Sequence, residues 1–526
     1  MPRTREGCRV IASTDPHFGE RERKYQTSGA WPDEATDPVA TAASRDPDRL
    51  ALVGRAERFD YGSLERAIGE FASVLLAKGV RVGDAVVLIA VNECRSVVAF
   101  HAVRRIGAVC VLVSDHAGSA ETTLAIEGTK ARLALSPSHL LGQLSDRHPA
   151  VEWLSCQEPM SKSAEPFRGD HSAPNSPGVV VFTSGSTSLP KGVIHSTNTL
   201  RVAGTNYIDA AGLDKSDVFF LISPLSSITG VLQALVMAPM LGACAVLEDK
   251  WDDTQTFDLL VAEQATFYGG PDVVLRRLLD EAARRGVTSV PLRAVSVGGA
   301  LLDKDLLRRA ESTYGIFVMR AYGSSEAPFS TTTPHTAELE DRLELDGLPN
   351  SGVEVRIGSE GDESECLVRG PHLFLGYFDP ADNEGAFESD WYRTGDIGVF
   401  HGDQLKIVGR LKEIVIRNGI KLSIHAIEDA ALGLPFIDDA AAFGRPDQET
   451  GEHLVLAVRP TEGASLNLET VVNALLELGV AKRHLPEELI IWDEPFPKTV
   501  TEKLNRAALA EQSKGRHRQL ASRLES

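Results

Sequence analysis

From Leu50 onward, short apolar β-branched runs alternate with longer amphipathic stretches. Phe59-Asp60-Tyr61-Gly62-Ser63-Leu64 leads into an amphipathic helix through Ala77, and Gly83-Asp84 precedes a strand over 85–90. A helix over 94–106 and a strand over 108–113 come next. Such alternation implies an α/β domain whose sheet is covered on both faces. Before about position 47 the chain is polar and low in periodicity, and Tyr25-Gln26-Thr27-Ser28-Gly29-Ala30-Trp31 reads as an arm packed on the body. Residues 146–177, rich in Ser, Pro and charge, read as a connecting loop. The longest apolar run, 234–247, is broken by Pro239 and is shorter than the roughly 18 residues of a membrane span. It reads as a buried helix followed by a strand. The basic cluster Lys514-Gly515-Arg516-His517-Arg518 reads as a solvated tail.

At 526 residues the chain exceeds one ordinary core, so at least two domains are expected. A hydrophobic content of 43% is that of a globular protein. The formal charge of −20 argues against nucleic acid or an anionic membrane as the main partner, so a phosphate site must concentrate positive charge locally. Cys8, Cys94, Cys110, Cys156, Cys244 and Cys366 show no C-x-x-C spacing, which suggests free thiols in a reducing cytoplasm. With Glu6, Asp15 and no apolar core, the N-terminus does not read as a signal peptide.

The candidate chemistry centres on 179–195. Val179-Val180-Val181-Phe182 reads as a buried strand that breaks into Thr183-Ser184-Gly185-Ser186-Thr187-Ser188-Leu189-Pro190-Lys191-Gly192. Glycine lets backbone N–H groups approach an anion, while hydroxyls and a lysine add donors and charge, as a polyphosphate requires. Pro190 stands where a Walker A loop needs glycine, so that motif is excluded. Composition alone fits a flexible Ser/Gly surface loop equally well. Thr183 to Gly192 resembles T-S-G-T-T-G-x-P-K-G, the phosphate-binding signature of the AMP-forming acyl-activating superfamily: acyl- and aryl-CoA synthetases, peptide-synthetase adenylation domains and beetle luciferases. Ser186 replaces threonine and Ser188 replaces glycine.

The resemblance continues in order to about position 510. By it, Gly299 and Ala300 lie at the adenine. Ala321-Tyr322-Gly323-Ser324-Ser325-Glu326 resembles Y-G-x-T-E, with Tyr322 offering an aromatic face, Ser325 a hydroxyl to the α-phosphate and Glu326 a hard oxygen ligand for Mg²⁺. Val368-Arg369-Gly370-Pro371 and Gly376-Tyr377 extend the match. Asp396 falls where a carboxylate accepts from both ribose hydroxyls, Arg410 where an arginine faces ribose and phosphate, and Lys412 at the hinge. Ser226, Ser227 and Gly230 fall at the acyl pocket, and the lack of an aspartate there argues against an α-amino acid. Gly419 and Lys421, with Arg445, form the CoA face; Ile424 and Ala426 replace the usual proline and glutamate. Pro497 to Arg506 resembles P-x-T-x-x-G-K-x-x-R, which makes Lys503 the catalytic lysine, with Glu502 where the family has glycine.

The resemblance implies an α/β fold. A large N-terminal AMP-binding and acyl-substrate domain spans 1–408, a hinge 409–412, and a small mobile α+β domain 413–526. It implies ATP, Mg²⁺ and coenzyme A. A carboxylic acid is adenylated with loss of pyrophosphate, and the charge in flight is neutralised by the loop from Thr183 to Lys191, Glu326 with its metal, and Lys503. The small domain then turns about Lys412, and a thiol displaces AMP. A carrier-protein thiol is the alternative acceptor, and a homodimer is compatible with the family. A nucleotide-binding homologue with impaired turnover is a third reading, motivated by Ser188 and Glu502. Gly479 to Glu487 and the start around Trp31 look most like ligases for medium-chain, alicyclic or aryl acids.

Overall fold

Every side chain of the strand Ala85–Ala90 is buried, and successive ones enter different cores: Val86, Leu88 and Ala90 one, Ala85, Val87 and Ile89 another. The adjacent strand Val109–Ser114 divides its apolar residues the same way. A sheet buried on both faces needs cover on both sides, and the computed structural model shows it. The structure describes residues 11–34, 36–117, 119–157, 165–183, 190–298, 302–334, 336–411, 413–417, 420–498 and 504–524.

These two strands are central in a six-stranded sheet ordered Glu152–Ser155, Leu133–Ser136, Ala85–Ala90, Val109–Ser114, Pro177–Phe182 and Gly192–Ser196, parallel except for the last pair. Helices Tyr61–Ala77, Cys94–Arg105 and Thr197–Ala211 and the π-helix Val231–Met237 join a core that also takes Leu52, Phe219 and Leu221 from a second, nine-stranded sheet. The other face of that sheet presents Phe220, Val246, Tyr268, Val295 and Val318 to helices Asp253–Ala262, Asp272–Arg284 and Lys304–Tyr314. The expected helix and strand over 234–247 are present as the end of the π-helix, the short helix Ala238–Leu241 and the strand Cys244–Leu247.

A five-stranded antiparallel sheet contains Trp391–His401 paired with Gln404–Arg410. Beyond it, six strands between Ile414 and Leu520 form a separate sheet over cores built around Val415, Leu456, Leu475 and Leu489, and around Phe443 and Trp492. Among the described residues no helix is long and apolar enough to cross a membrane.

Three expectations need correction. The polar N-terminal stretch contains the helices Phe18–Thr27 and Pro38–Arg45, the second capped by Asp37. The connecting region contains the strand Glu152–Ser155. The basic C-terminal cluster is not a free tail: Arg518–Leu520 pairs with Glu488–Ile491, and the Arg516 guanidinium lies 3.6 Å from the Trp492 ring centroid.

The N-terminal arm is fastened to the segment 371–377. Trp31 is fully buried and donates its indole N–H to the Pro371 carbonyl at 2.8 Å. Buried Arg21 pairs with Asp15 and donates to the carbonyls of Leu373 (2.9 Å) and Phe374 (3.0 Å). Thr14 donates its hydroxyl to the Tyr377 carbonyl at 2.5 Å. Gly376 permits this approach, because its φ is +97° and a Cβ there would lie 2.3 Å from Thr14 Oγ1. Trp31→Ala should remove about 3–5 kcal/mol of packing and speed tryptic cleavage at Arg21, Arg23 or Lys24 in limited proteolysis. An unchanged cleavage rate would contradict this anchoring.

Candidate active site

Asp396 lies on Trp391–His401, 3% exposed, directly across the antiparallel ladder from Arg410. Its Oδ2 accepts the Tyr322 hydroxyl at 2.7 Å, which ties the five-stranded sheet to the end of the strand Phe317–Tyr322. Arg410 Nε stands 2.9 Å from Oδ1, a charge contact that is not aligned as a hydrogen bond, so among the described residues Oδ1 is a buried acceptor without a donor. Burial raises the Asp396 pKa against the opposing pull of Arg410 and the Tyr322 hydrogen bond. Burial and the nearby Asp396 charge push the Tyr322 phenol well above its ordinary value, which keeps it a donor.

Glu326 is 9% exposed and accepts the Tyr377 hydroxyl on Oε1 at 2.7 Å. The Tyr377 and Tyr392 hydroxyls stand 3.3 Å apart. Burial and Glu326 together raise the Tyr377 phenol, so it too stays protonated. Glu326 Oε2 has no hydrogen bond among the described residues. One nearly buried carboxylate with a free oxygen fits Mg²⁺, which keeps its remaining positions for water and substrate phosphates. No cluster of three or more His, Cys, Asp or Glu that could hold a metal occurs among the described residues.

The neck of the candidate phosphate loop is closed by two bonds: Thr183 N–H to the Lys191 carbonyl (3.0 Å) and Lys191 N–H to Thr183 Oγ1 (3.2 Å). Lys191 Nζ lies 4.6 Å from the centre of the Tyr377 ring and 3.1 Å from Asp382 Oδ1. Thus Lys191, Tyr377 and Glu326 form one contiguous group. His195, fully buried and lowered by burial to about 4, is neutral near pH 7 and donates Nε2–H to the Ser325 carbonyl at 2.7 Å. Gly323 is required by its neighbour, because a Cβ would lie 2.5 Å from Phe329 N.

The structure therefore brings Thr183, Lys191, Tyr322, Ser325, Glu326, Asp396 and Arg410 into one linked site, with Ala321 and Gly323 flanking Tyr322. It places others differently. The Ser227 hydroxyl is engaged locally, accepting from Gly230 N–H (3.1 Å) and donating to the Pro224 carbonyl (2.7 Å), while Ser226 is nearly buried. The Ser227 hydroxyl thus caps the helix that follows. Arg445, expected on the CoA face, is partly exposed and engaged by Glu488 (3.0 Å) and Ser513 (3.0 Å). Ser184, Gly185, Ser186, Thr187, Ser188, Gly299, Ala300, Lys412, Gly419, Glu502, Lys503 and the Lys421 side chain lie outside the described residues.

Sequence reasoning assigned no role to Tyr377, Tyr392, Asp382 or His195. Tyr377 was within reach, since it sits in the matched Gly376-Tyr377 pair; a lone acid such as Asp382, in the short 3-10 turn Pro380–Asn383, carries no signal.

Residues 39–378 match the family model of the AMP-binding enzymes, and residues 426–503 match the model of the AMP-binding enzyme C-terminal domain. The chain belongs to the AMP-binding enzyme family. It is 28% identical over 532 residues to the medium-chain fatty-acid–CoA ligase of Escherichia coli (strain K12), covering 94% of this chain and 93% of that protein. It is also 28% identical over 504 residues to the oxalate–CoA ligase of Arabidopsis thaliana, covering 90% and 97%. Its fold is similar to that of o-succinylbenzoate CoA synthetase from Bacillus subtilis, solved with an acyl-adenylate intermediate. The TM-score is 0.80 at 22% identity, over 90% of this chain and 98% of that one.

Tyr377→Phe leaves Glu326 Oε1 without its donor, a cost of about 1–3 kcal/mol. The melting temperature without ligand should fall by at least about 2 °C. An unchanged value would show that the hydroxyl does not hold Glu326.

Proposed function

We propose that this protein is an AMP-forming acid–CoA ligase that activates a medium-chain, alicyclic or aryl carboxylate. The supporting observation is the unfilled Oδ1 of Asp396, a buried acceptor beside Arg410 in the same site as Glu326 and Lys191. A buried carboxylate oxygen without a donor is costly alone, and two vicinal ribose hydroxyls satisfy it together with Oδ2. The identity to a medium-chain fatty-acid–CoA ligase supports the acid class.

In the first half-reaction an oxygen of the carboxylate bonds to the α-phosphorus of ATP, and the bond from that phosphorus to pyrophosphate breaks. Asp396 orients the ribose, Tyr322 offers its ring to the adenine, and Thr183 and Lys191 cradle the phosphates. Glu326 would hold Mg²⁺, which when bound neutralises phosphate charge. Lys191 must exchange Asp382 for phosphate oxygens, and Lys503 adds positive charge as pyrophosphate departs. In the second half-reaction the domain beyond 413 turns about Lys412, and the thiol of coenzyme A attacks the acyl carbon and displaces AMP. The five described cysteines are buried and free, in keeping with a reducing cytoplasm.

Carboxylate-dependent pyrophosphate release is the test, run with Mg²⁺ and ATP over fatty, alicyclic and aryl acids, with and without CoA. Release with a subset of acids, accelerated by CoA, is expected. Release that CoA does not accelerate would favour a carrier-protein acceptor, and nucleotide binding without release would mean impaired turnover, with Glu502 the first residue to replace.

A further inference from the structure

A cavity of about 730 Å³ lies away from this site. Val179 and Thr197 line it, at the end of the strand Pro177–Phe182 opposite Thr183, and none of Thr183, Lys191, Tyr322, Glu326, Asp396 or Arg410 reaches it. One wall is apolar, with Phe100, Leu200, Leu235, Val236 and Met240. The lining also carries cations, among them the partly buried Arg49, Arg104 and Arg201.

These three guanidinium groups are held without carboxylates. Arg104 donates to Thr197 Oγ1 (2.8 Å) and the Ala108 carbonyl (3.2 Å). Arg201 donates to Asn198 Oδ1 (3.2 Å) and the Ala30 carbonyl, and Arg49 to the Lys215 carbonyl. No ion pair to any of the three occurs among the described residues. The acids Glu34, Asp46 and Asp170 line the same cavity without pairing with them. Arg105, also in the lining, shows the contrast, because Asp37 and Glu65 each pair with it at 2.6 Å.

The titration shifts follow the geometry. Burial lowers the pKa of Arg104 and of Arg201. Arg105 is opposed by burial too, yet Glu65 and Asp37 hold it above its ordinary value. Arg104 is also built in: a Cβ at Gly178 would lie 2.3 Å from its Cζ, so the glycine makes room for the guanidinium. The Asp170 charge opposes burial at Arg104 without forming an ion pair with it, and desolvated cations that lack a paired carboxylate are costly; they stand here in a chain of net charge −20.

We propose that this cavity binds an anionic amphiphile, with its apolar body against Phe100, Leu235 and Met240 and a carboxylate or phosphate head on Arg104 and Arg201. The volume is that of a small-molecule site, and the planar guanidinium fork matches either head in a bidentate fashion. The proposal stands independently of the ligase reading, because no residue of the nucleotide site takes part.

Calorimetric titration of the full chain tests it, with octanoate, octyl phosphate, octanol and inorganic phosphate as probes. Each is run with and without a non-reactive octanoyl-adenylate analogue that fills the nucleotide site. One octanoate or octyl phosphate per chain should still bind with the analogue present, and the tighter of the two identifies the head group. Octanol and inorganic phosphate should each bind at least tenfold more weakly. Arg104→Met should weaken binding tenfold or more. Met240→Trp should do the same by filling the cavity with both arginines in place. Failure of both amphiphiles to bind beside the analogue would overturn the proposal, as would undiminished binding in Met240→Trp. Failure of the analogue itself to bind, with octanoate still lost in Met240→Trp, would count against the ligase reading and leave the cavity site supported.

Discussion

The Tyr377 hydroxyl is the point on which the site depends. It donates to Glu326, its ring lies beneath Lys191, its carbonyl accepts from Thr14, and Arg21 and Trp31 hold the carbonyls of Phe374 and Pro371 just before it. A nearly buried carboxylate oxygen left without a hydrogen bond is costly, and Tyr377 donates to Glu326. Contacts between residues 340 to 363 positions apart in sequence thus bear on the geometry of one metal-binding candidate.

A second constraint comes from charge. A strongly acidic chain that receives a polyanion must hold its cations close to its acids, or those cations will be lost to repulsion and solvation elsewhere. The site does this in pairs: Arg410 against Asp396, and Lys191 against Asp382. Each pair is poised differently. Arg410 leaves Asp396 Oδ1 without a hydrogen bond and so keeps an acceptor open. Lys191 is only partly buried, so its pair with Asp382 sits in a screened setting where it is worth little.

Much of this was legible in the sequence. The strand at 85–90 and the helices after it were readable because both faces of the sheet are apolar, leaving uninterrupted β-branched runs. Tyr322, Glu326, Asp396 and Arg410 stood out through ordered motifs; the structure joins Tyr322 and Arg410 to Asp396 by direct contacts and sets Glu326 against Tyr377. The helix Phe18–Thr27 was not, because FGERERKYQT is polar and its order comes from Arg21 and Tyr25 docking on distant segments. The strand Arg518–Leu520 was hidden for the same reason, since three residues gain their structure from an edge 30 positions away. The pairing of Arg445 with Glu488 was hidden because that partner lies 43 positions away and no local pattern reveals it.

The central claim is that Asp396 receives the ribose of ATP. The most direct measurement compares kcat/KM for ATP and for an analogue lacking both ribose hydroxyls, in the parent chain and in Asp396→Asn. Two charge-assisted hydrogen bonds together contribute about 3 kcal/mol or more, so the parent should lose about 100-fold or more on the analogue. The variant should lose at least about tenfold less, the signature of direct coupling. An equal loss in both proteins would show that the ribose hydroxyls are read elsewhere and would contradict the assignment.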